Sequence, residues 1–252
     1  MESVAKRRVL LLDELRGFLI IMVVLYHLLY DLYMFFHLDM PFFFSPPMEL
    51  LKYLGAGSFI LVSGIVCHYA RSNLKRGLIC LGFALAITVF TYIFMPTQVI
   101  YFGILHLLAV CMILSALLKK VLDRLPFLPF FILFAVLFLI TFNIPKGYFG
   151  LSEEVSVSLP SSLYDSGLFF LGFPGNGFNS ADYYPLIPFA FLFFAGVLLG
   201  RFFVSESLPE FVYRGIAPPF RFLGRHTLVI YLVHQPLILG IFYLVQFFIE
   251  RG

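Results

Sequence analysis

Asp13, Arg16, His27 and Asp31 stand in or beside one long apolar run near the N-terminus. Ionisable groups inside a membrane span cost several kcal/mol unless paired or hydrated, so each is a functional candidate by default. Arg16 and His27 are eleven residues apart, about three helical turns plus roughly 20°, which puts them on one face some 16 Å apart along the axis. Asp31 lies one turn beyond His27 on that face, and Asp13 three residues before Arg16. A carboxylate one turn from an imidazole orients the ring and stabilises its charged form, which suits a general base. Plainer readings stay open: Asp13 and Arg16 as an interfacial ion pair, His27 and Asp31 as a polar lock between helices.

Other polar residues interrupt apolar sequence further on. His106 in YFGILHLL is either an interhelical hydrogen-bonding residue or part of a site. His234 and Gln235 precede Pro236, where a kink in the last helix is expected, and adjacent polar groups at a broken turn often line a cavity. Asp182, before YYPLIP, is either an acid at a helix N-terminus or a contact for a substrate. His68 is expected to snorkel beside Arg71, and His226 to sit at the interface. Cys67, Cys80 and Cys111 lie in separate apolar runs with no metal-like spacing, and read as small core residues. No metal site is expected. The sequence has no Walker loop, dinucleotide fingerprint, HExxH or G-x-S-x-G elbow.

The elements that must position these groups follow from composition. The 252 residues are 61% hydrophobic and 12% charged, with 34 Phe and a mean hydropathy of +0.98. A soluble domain is nearer half apolar and a quarter charged. A bilayer as solvent removes the need for a polar coat, so the fold class is all-α integral membrane. Spanning windows fall near 15–36, 50–70, 77–95, 98–118, 127–143, 185–203 and 226–249. They give a bundle of about seven transmembrane helices in a single domain over residues 1–252. MESVAKRR and the run after it are read as a retained first helix, since no small-x-small cleavage site follows. The 144–184 segment is the one long connector. Its Phe170, Phe173 and Phe178 are expected to fold back on the helices or the lipid interface.

Basic residues set the orientation. With the N-terminus cytoplasmic, fourteen of the seventeen Lys and Arg fall in cytoplasmic segments, from Lys6, Arg7 and Arg8 to Arg221 and Arg225. Lys52, Lys146 and Arg251 remain outside, and an odd helix count puts the C-terminus outside too. The net charge of +3 is too small to argue for nucleic acid. A multi-pass protein of the cell membrane is expected, in contact with the bilayer and compatible with a homo-oligomer.

RRVLLLDELRGFLIIMVVLYHLLYDL resembles the first helix of the transmembrane acyltransferase superfamily, whose Arg-x10-His pattern falls here on Arg16 and His27. FLGRHTLVIYLVHQPLIL (222–239) resembles that superfamily's last conserved helix. FILVSGI (59–65), YFGILHLL (101–108) and DYYPLIPFAFLFFAGVLLGR (182–201) look closest to bacterial proteins similar to the catalytic domain of heparan-alpha-glucosaminide N-acetyltransferase. The resemblance implies acetyl-CoA or another acyl-CoA as co-substrate at the cytoplasmic face. The acyl group would pass to an amine or hydroxyl of a sugar-like acceptor. The resemblance points to Arg16 as a contact for CoA or its thioester and to His27 as base or transient acyl carrier. In the larger members a histidine just beyond the first helix is also implicated, and the nearest here is His37. Those members carry further helices and a luminal domain, so their acceptor is not carried over.

Taken together, the expected function is an acyl-CoA-dependent membrane acetyltransferase. His27, Arg16 and Asp31 form its catalytic stripe. Arg16, Arg71, Arg221 and Arg225 face the polyanionic CoA, and His106, Asp182, His234 and Gln235 line the acceptor side. The competing reading is a transporter or lipid-linked-sugar translocase that uses the same polar stripe without chemistry.

Overall fold

The computed structural model describes residues 8–36, 38–205 and 208–249, so Lys6, Arg7, His37 and Arg251 lie outside the described residues. In chain order the helices are α1 (Leu10–Phe36), α2 (Pro46–Val66), α3 (Asn73–Phe94), α4 (Ile104–Leu117) and α5 (Lys119–Leu122). They continue with α6 (Phe127–Thr141), α7 (Leu186–Ser205), α8 (Glu210–Arg214), α9 (Pro218–Arg225) and α10 (Thr227–Ile249). Two short strands, β1 (Tyr148–Ser152) and β2 (Val155–Ser158), pair antiparallel between α6 and α7.

Six segments among the described residues are long and apolar enough to cross a membrane, those of α1, α2, α3, α6, α7 and α10. The window near 98–118 gives something shorter, the 14-residue α4. At 1.5 Å per residue that is roughly 21 Å, less than the ~30 Å hydrocarbon core. The reason is local. Residues 99–103 are spent on pairing with the 181–184 strand-like stretch, through Ala181 N–H to Val99 O and Tyr184 N–H to Phe102 O, both 3.0 Å. The helix therefore starts late, at Ile104.

The chain divides into two compact units. The first comprises residues up to Phe59 together with 207–252. Within it α1 packs on α9 and α10. The α1–α9 crossing is close because glycines stand on both sides. A Cβ on Gly17 would strike the Phe220 carbonyl, and one on Gly224 the Asp13 carbonyl. Phe18 and Phe220 close the rim edge to face, with ring centroids 6.1 Å apart. Pro236 is carried inside α10.

The second unit covers residues 60–206. Here α3 packs on α4, and α6 on α7. Phe134 lies against Phe191 and Phe194, and Phe138 against Phe189. A non-helical residue, Ile187 (φ −98°, ψ 119°), interrupts α7 near its start. The outer faces of the long helices keep large apolar side chains exposed, such as Val89, Phe90, Ile93 and Phe94 on α3. Such contiguous apolar surface is the lipid-facing coat that the composition demands.

The long 144–184 connector has structure of its own: the β1–β2 hairpin and three single 3-10 turns. Its aromatic residues do fold back. Phe169 stacks on Phe178, which also meets Tyr101 and Tyr183. Phe170 faces Phe102, and Phe173 faces Tyr164. The Tyr183 hydroxyl donates to Phe169 O at 2.6 Å, and burial pushes this phenol above its ordinary pKa.

Candidate active site

In the first unit, α1 carries Arg16, His27 and Asp31 on one unbroken helix, as their spacing requires. The apolar run of α10 presents His234 and Gln235 to the same helix. His27 and His234 meet edge to face, with ring centroids 5.0 Å apart and an interplanar angle of 86°. Tyr26 meets His27 at 6.0 Å. One turn along α1, Asp31 is almost wholly buried, at 2% exposure. Its two carboxylate oxygens accept from Gln235 Nε2, at 3.1 and 2.8 Å.

This differs from the expectation that Asp31 orients the His27 ring. Among the described residues no hydrogen bond links the two, and neither ring nitrogen of His27 is hydrogen-bonded. The carboxylate is taken by the amide of Gln235 instead. An amide –NH2 can serve both oxygens at once, whereas an imidazole on the same helix offers one N–H.

His234 is held by its own helix. Its Nδ1 lies 2.7 Å from the Tyr231 carbonyl, and a carbonyl only accepts, so Nδ1 carries the proton. In the neutral ring Nε2 is therefore a lone-pair acceptor. That atom and Gln235 Oε1 are buried without a hydrogen-bond partner among the described residues.

The N-terminal end of α1 is a cluster of charges. Asp13 and Glu14 are buried, at 6% and 4% exposure. Arg8 Nε lies 2.7 Å from Asp13, and Arg225 Nε 3.9 Å from it. Glu14 accepts from Arg221 Nη2 at 3.0 Å and from the Ile216 N–H at 2.8 Å. Arg16, between these acids and the rest of the stripe, is half-buried. Arg221 and Arg225 are thus paired with α1 acids as well as being cationic. Glu14 is the residue that sequence reasoning passed over. The signal was present, since a basic 214–225 segment beside a spanning helix needs counterions at that helix end.

The remaining candidates fall in the second unit. His106 Nδ1 accepts from the Gly103 N–H at 3.2 Å, and its Nε2 lies 3.1 Å from Thr88 Oγ1. Thr88 gives its own proton to Ile100 O at 2.7 Å, so it accepts from His106 Nε2–H. Asp182 Oδ2 accepts from the Ile104 N–H at 2.9 Å. Both side chains therefore satisfy the open N–H groups at the start of α4, work that every helix N-terminus requires. His68, in the turn just past α2, places Nε2 2.8 Å from Val197 O on α7, a bond to a neighbouring helix rather than a snorkelling ring. Arg71 is exposed between α2 and α3.

No curated protein and no solved structure matches the chain. A family model described as heparan-alpha-glucosaminide N-acetyltransferase, catalytic, matches residues 8–236. That span takes in α1 with its Arg16–His27 spacing and α10 as far as His234 and Gln235. The chain belongs to the family of the heparan-alpha-glucosaminide N-acetyltransferase catalytic domain.

Proposed function

We propose that this protein is a membrane-embedded acetyl- or acyltransferase. It takes the acyl group from acyl-CoA at the cytoplasmic face and gives it to an amine or hydroxyl of a sugar-like acceptor. The observation that carries the reading is the meeting of His27 with His234 beside the Asp31–Gln235 pair, within a chain of this family. Polar groups in apolar helices are costly, and four of them gathered at one α1–α10 contact, Asp31 and His234 buried among them, repay that cost when they handle a substrate.

The donor end fits a polyanion. Arg8, Arg221 and Arg225 gather around Asp13 and Glu14 near the start of α1, and Arg16 stands one turn further along the same helix, so several fixed cations lie where a polyanion would dock. Arg16 contacts the donor there, while Arg221 and Arg225 stay tied to their acids and supply field. An extended pantetheine arm covers the ~16 Å along the helix from Arg16 to His27. At the inner end His27 acts as base for the incoming nucleophile or as transient acyl carrier.

Seven spans, with α4 as the shortest, an inside N-terminus and an outside C-terminus complete the proposal, supported by the distribution of Lys and Arg. The test is release of CoA thiol from acetyl-CoA by the purified protein in detergent or nanodiscs, with and without sugar acceptors. Acceptor-dependent thiol release supports the reading. A correctly folded protein that binds acetyl-CoA and never releases thiol would leave a transporter as the better account.

A further inference from the structure

We infer that His234 Nε2 takes the proton of the acceptor's nucleophile, with Gln235 Oε1 as the second buried contact that holds it. This rests on the transferase reading above and divides the labour within that site. His234 is 7% exposed, and its Nδ1–H is committed to the Tyr231 carbonyl. That bond fixes the ring and leaves the basic lone pair on Nε2. Gln235 is oriented just as firmly, because its amide nitrogen must face the Asp31 carboxylate. The oxygen therefore points away from Asp31. Nε2 and Oε1 are both buried and both unmet among the described residues. Leaving a buried polar atom without a partner is costly, so two on consecutive residues call for a ligand.

Both unmet atoms are acceptors, and this decides the ligand's chemistry. A carboxylate or phosphate has nothing to give them. An amine, or a pair of hydroxyls, gives each an N–H or O–H. As the nucleophile bonds to the acyl carbon and the carbon–sulfur bond of the thioester breaks, its proton passes to His234 Nε2. The proton then goes to the departing thiolate, which leaves acylated acceptor, CoA thiol and a neutral His234. His27, against whose ring His234 abuts, is left the acyl end of the reaction.

The test uses the full-length purified protein, acetyl-CoA and three probes: D-glucosamine, N-acetylglucosamine and hydroxylamine. Hydroxylamine is a strong nucleophile at neutral pH and has little need of a base. His234→Asn keeps a side-chain N–H for the Tyr231 carbonyl and removes the base. It should bind acetyl-CoA like wild type and lose on the order of 10² in transfer to the better sugar probe. Its transfer to hydroxylamine should stay within a few-fold. Gln235→Leu should raise the sugar KM about tenfold or more with a smaller change in kcat. Equal loss with sugar and hydroxylamine, or no loss with the sugar, overturns the role of His234. An unchanged sugar KM in Gln235→Leu overturns the second contact. Wild type that acylates hydroxylamine and neither sugar overturns the acceptor class while transferase activity stands. Wild type that releases no thiol with any probe defeats the underlying reading instead.

Discussion

Gln235 gives its amide nitrogen to both oxygens of Asp31, although the two residues are 204 positions apart in the chain. The contact ties α10 to α1 one turn from the meeting of His27 and His234. Asp31→Asn keeps the shape and lets either amide turn. It is expected to fall between wild type and His27→Ala in transfer rate. Asp31→Leu leaves the Gln235 donors buried and unmet, a loss of about 1–3 kcal/mol. A lowered thermal midpoint in detergent is the check, and an unchanged midpoint would mean that the pair contributes nothing.

Arg16 and His27 should fail in different ways. Arg16→Ala is expected to weaken acetyl-CoA binding, and Arg16→Lys to restore only part, because a point charge lacks the guanidinium fork. His27→Ala should leave donor affinity nearly intact and cost on the order of 10² or more in turnover. Calorimetry beside the transfer rate separates the two. Turnover of His27→Ala close to wild type would make this residue a packing group.

Glu14 ties the 214–225 segment to α1. It holds the Ile216 N–H and Arg221 from a buried position. Glu14→Ala should cost about 2–3 kcal/mol, the scale for losing bonds to a charged group. Glu14→Gln should recover part of that. Thermal unfolding of the purified variants measures both, and a silent Glu14→Ala would show that the 214–225 segment docks by apolar contact alone.

Glycines give a sharper contrast. Gly17→Ala and Gly224→Ala each drive a methyl into a backbone carbonyl, and overpacking of this kind costs about 1–3 kcal/mol. Gly82 on α3 has nothing within 4 Å of its Cβ position. Gly82→Ala should therefore be neutral or gain up to about 1 kcal/mol of helix propensity. Equal effects at all three positions would contradict the close crossing of α1 and α9.

Orientation is open to chemical labelling. In a background without Cys67, Cys80 and Cys111, single cysteines at the exposed Lys75 and Ser162 should react from opposite sides of the membrane. Reaction of both with an impermeant reagent in intact cells would end the seven-span arrangement.

The sequence made the spanning helices and the polar stripe on α1 readable because both depend on periodicity along one element. A run of Phe, Leu and Val long enough to cross a bilayer announces itself, and so does an Arg and a His three turns apart. Partners across elements left no such trace. Nothing local tells that Asp31 meets Gln235 rather than His27, or that Thr88 accepts from His106. The late start of α4 was hidden for the same reason, since it follows from pairing of 99–103 with a segment eighty residues away. Glu14 was passed over because an acid at a helix start has a ready local explanation, and its real partners lie near the other end of the chain.

The second unit contains one further seam of glycine. Cβ atoms on Gly64, Gly196 and Gly200 would meet the carbonyls of Phe193, Leu61 and Ile65. Where main chain rests on main chain, no rotamers are available to absorb a displacement. Two rods in such contact do not loosen by degrees. They either stay in register or shift along each other toward the next repeat, about 5.4 Å further on. Like the α1–α9 crossing, the α2–α7 seam is therefore a place where the fold resists gradual deformation.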